Sequence, residues 1–230
     1  MNSKTRNKQL TILGIILAVV VVAAAGVILV SGRSSASNID YSAIPQSRTA
    51  DGAFVLGSED APITIVEFAD FGCPHCLEYH RSTIKALIQD YVATGKARFE
   101  YRSFPTAGGA LTQFAAQLSE CAENQQPGAH WRAYETFYRL AETGRYNQDA
   151  GRLMAQELGL NYSQLLTCSN SASQVQTDVN FGSSLGVTGT PAVMVRYGDS
   201  APTWLVHNGV TYNRAGVPLN VLTDVINSLQ

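Results

Sequence analysis

Hydrophobic and polar positions in the body of the chain follow strand and helix periods in turn. The segment ITIVEFADF, residues 63–71, is a nearly continuous apolar run, which predicts a central strand covered on both faces. From Cys73 to about Thr94 apolar residues recur at helical spacing, and Gly95 ends the pattern. The segment ARFEYRSF, residues 97–104, alternates as strands do. Together these segments predict a β-α-β unit.

Helical periods alone fill residues 109–186. Four segments fit amphipathic helices: ALTQFAAQLSECAENQ, HWRAYETFYRLAET, DAGRLMAQELGL and YSQLLTCSNSASQVQTDVNFGSSLG. Aromatic residues at helical spacing in the second segment predict core packing: Trp131, Tyr134, Phe137 and Tyr138. This region is therefore predicted to be a helical subdomain.

The C-terminal part returns to strands. AVMVRY and TWLVHNGVTY predict an antiparallel hairpin, and PLNVLTDVINSL predicts a closing helix with Pro218 in its first turn. The predicted order is β-α-β, a helical block, then β-β-α. This order resembles an α/β thioredoxin fold that carries an inserted helical subdomain before its third core strand.

A charge-free segment, LTILGIILAVVVVAAAGVILV, fills residues 10–30. At about 1.5 Å per helical residue it spans roughly the 30 Å hydrocarbon core, which predicts a single transmembrane helix. Three bases precede it, Lys4, Arg6 and Lys8, so residues 1–9 are expected in the cytoplasm and the remainder outside. Small residues in AAAG and SSAS leave cleavage as an alternative. Either way the body faces an oxidising compartment.

The segment after the span, residues 31–52, is Ser-rich and interrupted by Pro45. Because it shows no sustained period, it is predicted to be a linker, with the folded domain covering residues 53–230.

The number and distribution of charged residues argue against one class of function, nucleic-acid binding. The chain of 230 residues has a net charge of −2, and only three bases lie before Arg33, which leaves 13 bases against 18 acids in the rest. A mildly acidic body without clustered bases argues against nucleic-acid binding. Four cysteines form an even set, which favours pairing in an oxidising space.

The chemistry centres on FGCPHCLE, residues 71–78. Pro74 fits the first position of a helix, which places Cys73 at the N-cap and Cys76 on the same side of the first turn. Free N–H groups and the positive end of the helix dipole favour the thiolate of Cys73, and His75 adds to this as a donor. A stabilised thiolate makes the disulfide a stronger oxidant, with Cys76 as the more buried resolving thiol.

Two other roles for these sulfurs stay open. A structural disulfide is one, although a loop this short constrains little chain entropy. Zinc or copper binding by Cys73, Cys76, His75 and His80 is the other, although no second C-x-x-C or H-x-x-H is present. His80 is predicted to be a surface helix residue, and His130 and His207 to have structural or surface roles.

Three features together resemble the DsbA-like branch of the thioredoxin superfamily, the extracytoplasmic thiol-disulfide oxidoreductases. They are VEFADFGCPHC at 66–76, the helical insertion, and GVTGTP at 186–191. The resemblance implies that Pro191 is cis and lies against the active-site cysteines, with Thr190 presenting backbone groups to a substrate segment. The alternative is an ordinary trans proline that begins a strand.

The same resemblance implies two further assignments. Glu67, in the middle of the apolar strand, corresponds to an acidic residue that assists proton transfer beneath the buried cysteine; the alternative is an edge residue whose carboxylate reaches solvent. Cys121 and Cys168 correspond to a structural disulfide within the helical domain, and inert buried thiols are the alternative.

These inferences predict a membrane-anchored enzyme that introduces disulfides into exported proteins through Cys73 and Cys76. The resemblance implies a membrane quinone-linked oxidase of DsbB or VKOR type as partner. We expect a monomer that needs no cofactor or metal and binds no nucleic acid. A disulfide reductase or isomerase of the same fold, and a non-enzymatic metal-handling module, remain the alternatives.

Overall fold

A seven-stranded mixed sheet organises the chain in the computed structural model, which describes residues 39–230. The strands are β1 Gln46–Arg48, β2 Phe54–Leu56, β3 Ile63–Ala69, β4 Arg98–Ser103, β5 Ala192–Tyr197, β6 Thr203–His207 and β7 Val210–Tyr212, in the order β1-β2-β4-β3-β5-β6-β7. Only the β3 and β4 pair is parallel among these neighbours. All seven residues of β3 are buried, which explains its continuous apolar run.

One long helix, α1, connects β3 to β4 over residues 74–92. It contains α-helical Pro74–Tyr79, π-helical His80–Ile84, α-helical Lys85–Leu87 and π-helical Ile88–Val92. Pro74 occupies the first turn, and Cys73 is the N-cap with extended backbone, φ −86° and ψ 120°. The predicted β-α-β unit is therefore present, with its ends shifted by one or two residues.

The helical insertion is confirmed. Its described helices are α2 Gly109–Gln125, α3 Ala129–Glu142, α4 Ala150–Leu158, α5 Tyr162–Ser169 and α6 Gln174–Ser184, and α7 Leu219–Asn227 closes the fold. The last predicted segment of the insertion forms two helices, not one. Short polar side chains cause the break: the Ser171 hydroxyl donates to the Cys168 carbonyl at 3.0 Å, which competes with a further helical turn.

The predicted aromatic core of α3 is also confirmed, because all four rings are at most 1% exposed. They pack beside Phe71, whose ring centroid lies 5.2 Å from those of Phe137 and Tyr138. Burial of each such ring contributes on the order of 2 kcal/mol. This cluster holds the insertion against the strand that leads into the cysteine pair.

Cys121 of α2 and Cys168 of α5 form a disulfide, as the resemblance implies. The bond closes a loop with a sequence separation of 47 residues, which stabilises the fold by about 4 kcal/mol in the chain-entropy model.

The predicted linker, residues 31–52, is too long at its C-terminal end, because the folded domain begins before residue 53. Residues 41–48 belong to the folded domain, since β1 pairs with β2 and Tyr41 and Ile44 are buried. The Tyr41 ring stacks on Trp131 at 6.2 Å and its hydroxyl donates to Glu135 at 2.9 Å. Tyr41 and Ile44 each stand alone among polar residues, so the sequence showed no strand or helix period there. Both side chains nevertheless pack into the core.

The predicted strand TWLVHNGVTY is interrupted by a turn. Asn208 and Gly209 both have positive φ, 50° and 76°, and β6 folds back to pair with β7. Asn-Gly is the sequence typical of a two-residue hairpin turn, so the signal was present.

The predicted transmembrane span at 10–30 and the cytoplasmic segment at 1–9 lie outside the described residues. Within residues 39–230, no helix combines the length and the apolar character needed to cross a membrane.

Candidate active site

The two central cysteines lie at the junction between β3 and α1, and both are free thiols. Cys73 is 5% exposed and Cys76 is fully buried, while Pro74 and His75 between them are exposed. The Cys73 carbonyl accepts from the Leu77 N–H at 3.1 Å, which starts the helix, and the Cys73 side chain makes no capping bond. Its sulfur is therefore available at the positive end of α1.

Thr190, the residue before Pro191, contacts this sulfur through its backbone. The peptide bond between them is cis, and the Cys73 thiol donates to the Thr190 carbonyl at 3.5 Å. Pro191 directly precedes β5, the neighbour of β3. Thr190, one of the two residues that the resemblance implies for substrate binding, is thus hydrogen-bonded to Cys73, and Pro191 follows it directly in the chain.

Cavities flank the cysteine pair on two sides. One, of about 330 Å³, lies beside the cis proline and is lined by His75, Thr188, Gly189, Thr190, Pro191, Ala192, Trp204, Asn213, Arg214 and Ala215. No acidic residue lines it, and within the described chain Arg214 has no ion-pair partner. The other cavity, of about 230 Å³, reaches Cys73 itself and has a largely aromatic and aliphatic lining that includes Phe71, Leu77 and Tyr146.

Glu67 is fully buried, and neither carboxylate oxygen has a hydrogen-bond partner in the described structure. It lies in β3 between β4 and β5, opposite Tyr101 and Val193, so the alternative of an edge residue that reaches solvent is wrong. Burial raises its pKa to about 8. A carboxyl group in this state exchanges a proton close to neutral pH.

Glu67 also acts on the buried cysteine. Burial, followed by the Glu67 charge, raises the pKa of Cys76, which therefore holds its proton strongly. Cys73 and Cys76 are consequently unequal: one sulfur borders solvent and a helix terminus, and the other lies within the core.

Asp70 is a site residue that sequence reasoning missed. Although it is completely buried, its carboxylate accepts from the N–H groups of Gly72, Thr106 and Gly108 at 2.7, 2.7 and 2.8 Å. The hydroxyls of Thr106 and Thr112 also donate to it. An acid directly after an apolar strand and three residues before a cysteine was the available signal.

His80 is buried, which contradicts its predicted surface position. Its Nδ1 is 3.1 Å from the Tyr134 hydroxyl, its Nε2 is 3.3 Å from Glu135, and its ring stacks on Tyr138 at 4.1 Å. Burial lowers the pKa of His80. Both ring nitrogens thus face other side chains, and within residues 39–230 no group of three or more His, Cys, Asp or Glu side chains could hold a metal ion.

His130 is buried as well and has a structural role. Its ring stacks on Phe54 at 3.5 Å, in line with one of the two expectations for it. His207 lies 3.8 Å from Asp224 at the surface.

A family model described as thioredoxin matches residues 49–198, more than half of the chain. The chain belongs to the thioredoxin family. It is similar to the probable disulfide bond formation protein D of Bacillus anthracis, with 26% identity over 61% of this chain and 68% of that protein. The disulfide bond formation protein D of Bacillus subtilis is 25% identical over 63% of this chain and 68% of its own length.

The fold has solved counterparts. The crystal structure of Wolbachia pipientis α-DsbA1 superposes with a TM-score of 0.64 at 24% identity, and the match covers 79% of this chain and 92% of that one. Fold and relatives together establish a member of the thioredoxin family that acts as a thiol-disulfide oxidoreductase.

Proposed function

We propose that this oxidoreductase is an extracytoplasmic oxidant that donates the Cys73–Cys76 disulfide to exported proteins. The observation that carries the proposal is the position of Cys73, at the N-terminus of α1 and 3.5 Å from the carbonyl of Thr190. A thiolate formed there is stabilised by the helix dipole and free N–H groups. Stabilising the reduced form makes the disulfide a better acceptor of electrons.

The reaction has two exchange steps. A substrate thiolate attacks the Cys73 sulfur, the bond to Cys76 breaks, and its electron pair passes to Cys76, which takes up a proton. A second substrate thiolate then attacks the substrate sulfur of the mixed disulfide. Cys73 leaves as a thiolate, and the substrate leaves with a new disulfide.

We infer that Glu67 supplies or accepts the proton of Cys76, because its charge is among the causes that raise the pKa of this thiol. With a pKa of about 8, it has both protonation states available near neutral pH, as general acid-base catalysis requires. Its unpartnered oxygens leave it free to change state without breaking a hydrogen bond. The Glu67 carboxyl therefore buffers the charge that appears on the buried sulfur during each exchange.

The groups beside Cys73 indicate which kind of peptide substrate the enzyme would bind. The cis proline precedes a strand, so the backbone of Thr190 can pair with an extended peptide. The cavity beside it offers Arg214 and the indole of Trp204, and it has no acidic lining. Such a cavity favours an acidic side chain or an aromatic ring next to the substrate cysteine.

We place the domain outside the cytoplasm, anchored by residues 10–30. Support comes from the uncharged span, from the bases that precede it, and from the Cys121–Cys168 disulfide, since such bonds persist in oxidising compartments. Reoxidation then needs an electron acceptor in the same membrane. A quinone-linked oxidase of DsbB or VKOR type has the required chemistry, and the anchor holds the domain beside it.

Refolding of a reduced, disulfide-containing protein tests the catalytic role. The oxidised full chain is expected to accelerate the recovery of native disulfides, and Cys73→Ala is expected to abolish the acceleration. The Cys121→Ser/Cys168→Ser variant is the matched control, because it removes a disulfide distant from the exchange site and keeps the activity. Equal rates with wild type and Cys73→Ala contradict the proposal, and faster reduction than oxidation of the substrate supports a reductase instead.

A further inference from the structure

The loop between β7 and α7, residues 213–217, forms one wall of the cavity beside the cis proline. Its first three residues line the cavity and are exposed, and Arg214 carries the charge among them. Its last two residues, Gly216 and Val217, are buried. The loop therefore has one part that a substrate can contact and one part that is held within the protein.

Tyr79 of α1 holds the buried part of this loop. Its hydroxyl donates to the Val217 carbonyl at 2.8 Å and accepts from the Val217 N–H at 3.2 Å. Its ring lies against Gly216, where a Cβ atom would come within 2.6 Å of a ring carbon. Tyr79 itself is only 7% exposed. One buried side chain thus fixes the backbone of two consecutive loop residues.

The backbone of the loop is strained where it turns toward the cavity. Ala215 has a φ of 57° and Gly216 a φ of 80°. Glycine adopts positive φ about as readily as negative φ, whereas the Cβ of alanine comes too close to the following carbonyl oxygen in that region. Ala215 therefore opposes the observed conformation of the loop, and the two hydrogen bonds between Tyr79 and Val217 offset this strain.

We propose that Tyr79 is a positioning residue that holds Arg214 in the substrate cavity and thereby sets the preference for an acidic residue beside the substrate cysteine. The inference rests on the proposed function, which assigns this cavity to the substrate. Tyr79 lies three residues after Cys76 in α1. The helix that presents the cysteine pair therefore also fixes the loop that carries the recognising charge.

The affinity for an acidic peptide depends on how many molecules have the loop in its binding conformation. When only a fraction of the molecules is competent to bind, the apparent affinity falls by that fraction. Without the Tyr79 hydroxyl, Val217 loses both bonds while the strain at Ala215 remains, so part of the population leaves the binding conformation. The chemical step in the bound complex stays the same, because Tyr79 lines neither of the two cavities that flank the cysteine pair.

Tyr79→Phe tests the proposal, because it removes the hydroxyl and keeps the ring. Tyr91→Phe is the matched control: it removes a hydroxyl of the same helix that bonds to Thr223 of α7 at 3.1 Å, and neither residue lines the cavity. The oxidised full chain is mixed with one of two peptides that differ only in Glu or Gln beside a single cysteine. Acid quench over a series of peptide concentrations gives the half-saturation concentration and the maximal rate of mixed-disulfide formation.

We expect Tyr79→Phe to raise the half-saturation concentration of the Glu peptide about fivefold, the effect of about one neutral hydrogen bond. The maximal rate and the values for the Gln peptide stay at those of wild type, and Tyr91→Phe matches wild type throughout. Adding Ala215→Gly to Tyr79→Phe removes the strain at positive φ and recovers part of the preference for the Glu peptide.

Wild-type values for Tyr79→Phe overturn the proposal, as does an equal rise for both peptides, which a purely structural role would produce. An equal effect of Tyr91→Phe, or a double variant that stays at the Tyr79→Phe values, also overturns it. Peptide thiols attack the disulfide whichever direction the enzyme works in the cell, so these outcomes are separate from the test of the oxidant role. A wild type that does not distinguish the two peptides removes the cavity assignment together with this inference.

Discussion

Replacing Glu67 by Gln is expected to change the pH dependence of stability in a way that follows from its burial. In the folded state the pKa is raised from 4.5 to about 8, so the folded protein keeps a proton that the unfolded chain releases above pH 4.5. The stability contribution of the neutral carboxyl is therefore fully present below pH 4.5 and is lost as the pH rises toward 8. The Glu67→Gln variant lacks this dependence, because an amide does not titrate in that range.

The magnitude follows from the interval between the two pKa values. At pH 7 the solution is about 2.5 pH units above the unfolded pKa, and each unit corresponds to about 1.36 kcal/mol. Relative to wild type, Glu67→Gln should gain about 3 kcal/mol between pH 4 and pH 7. A pH-independent offset from burying the amide cancels in this comparison.

Urea unfolding of the reduced full chain at pH 4 and pH 7 measures the difference directly. All other titrating groups are common to both proteins, and Glu59→Gln, on the exposed turn before β3, serves as the matched control with no expected change. If the free energies of unfolding of wild type and Glu67→Gln differ by the same amount at both pH values, the carboxyl is not held neutral by burial and the reasoning is refuted.

Further predictions concern the exchange reaction, the scaffold and the cavity. Glu67→Gln should slow oxidation of the dithiol by oxidised glutathione by about 10²-fold, the lower end of general acid-base effects, and an unchanged rate in stopped flow would remove its role in proton transfer. Loss of the Cys121–Cys168 disulfide in the double Ser variant should lower the free energy of unfolding by about 4 kcal/mol in urea while glutathione exchange continues. Arg102 is buried among three carboxylates, so Arg102→Met should destabilise the fold by about 3–5 kcal/mol, and a loss below about 1 kcal/mol would show that the carboxylates find other partners. Arg214→Glu should raise KM for a peptide with an acidic residue beside its cysteine and leave a neutral peptide unaffected; equal changes for both peptides would contradict the cavity assignment.

Periodicity predicted those parts of the fold in which burial follows a regular pattern along the chain. The buried strand at 63–69 and the aromatic face of α3 are examples, because burial on both faces or on one stripe produces a regular pattern. β1 and β2 were not predicted. Each has three residues, too few for a period, and their place is determined by the pairing of β1 with β2 and of β2 with β4, and by contacts with the insertion such as the stacking of Phe54 on His130.

The residues of the candidate site also fall into two groups: those that the local sequence predicted and those that it did not. Cys73 and Cys76 were identified because Pro74 and the helix pattern fix their local geometry. Asp70 and Thr106 were not, since their meeting depends on how the loop after β4 returns to the end of β3. Contacts between segments distant in sequence leave no local pattern.

The predicted surface position of His80, which was based on local helical spacing, is wrong. A histidine on an amphipathic helix is usually solvated, yet the insertion covers this face of α1 and encloses the ring between Tyr134 and Tyr138. The covering helix, α3, begins far along the chain from α1, so the burial of His80 could not be read from its neighbours.

The central claim is that the surroundings of Cys73 make the Cys73–Cys76 disulfide a strong oxidant. Equilibration of the full chain with defined ratios of reduced and oxidised glutathione, followed by acid trapping and thiol alkylation, measures its reduction potential. The account predicts a potential well above that of thioredoxin, toward the value of about −120 mV found for strong oxidants of this fold. A potential at or below about −270 mV would contradict it and assign the protein to the reductases.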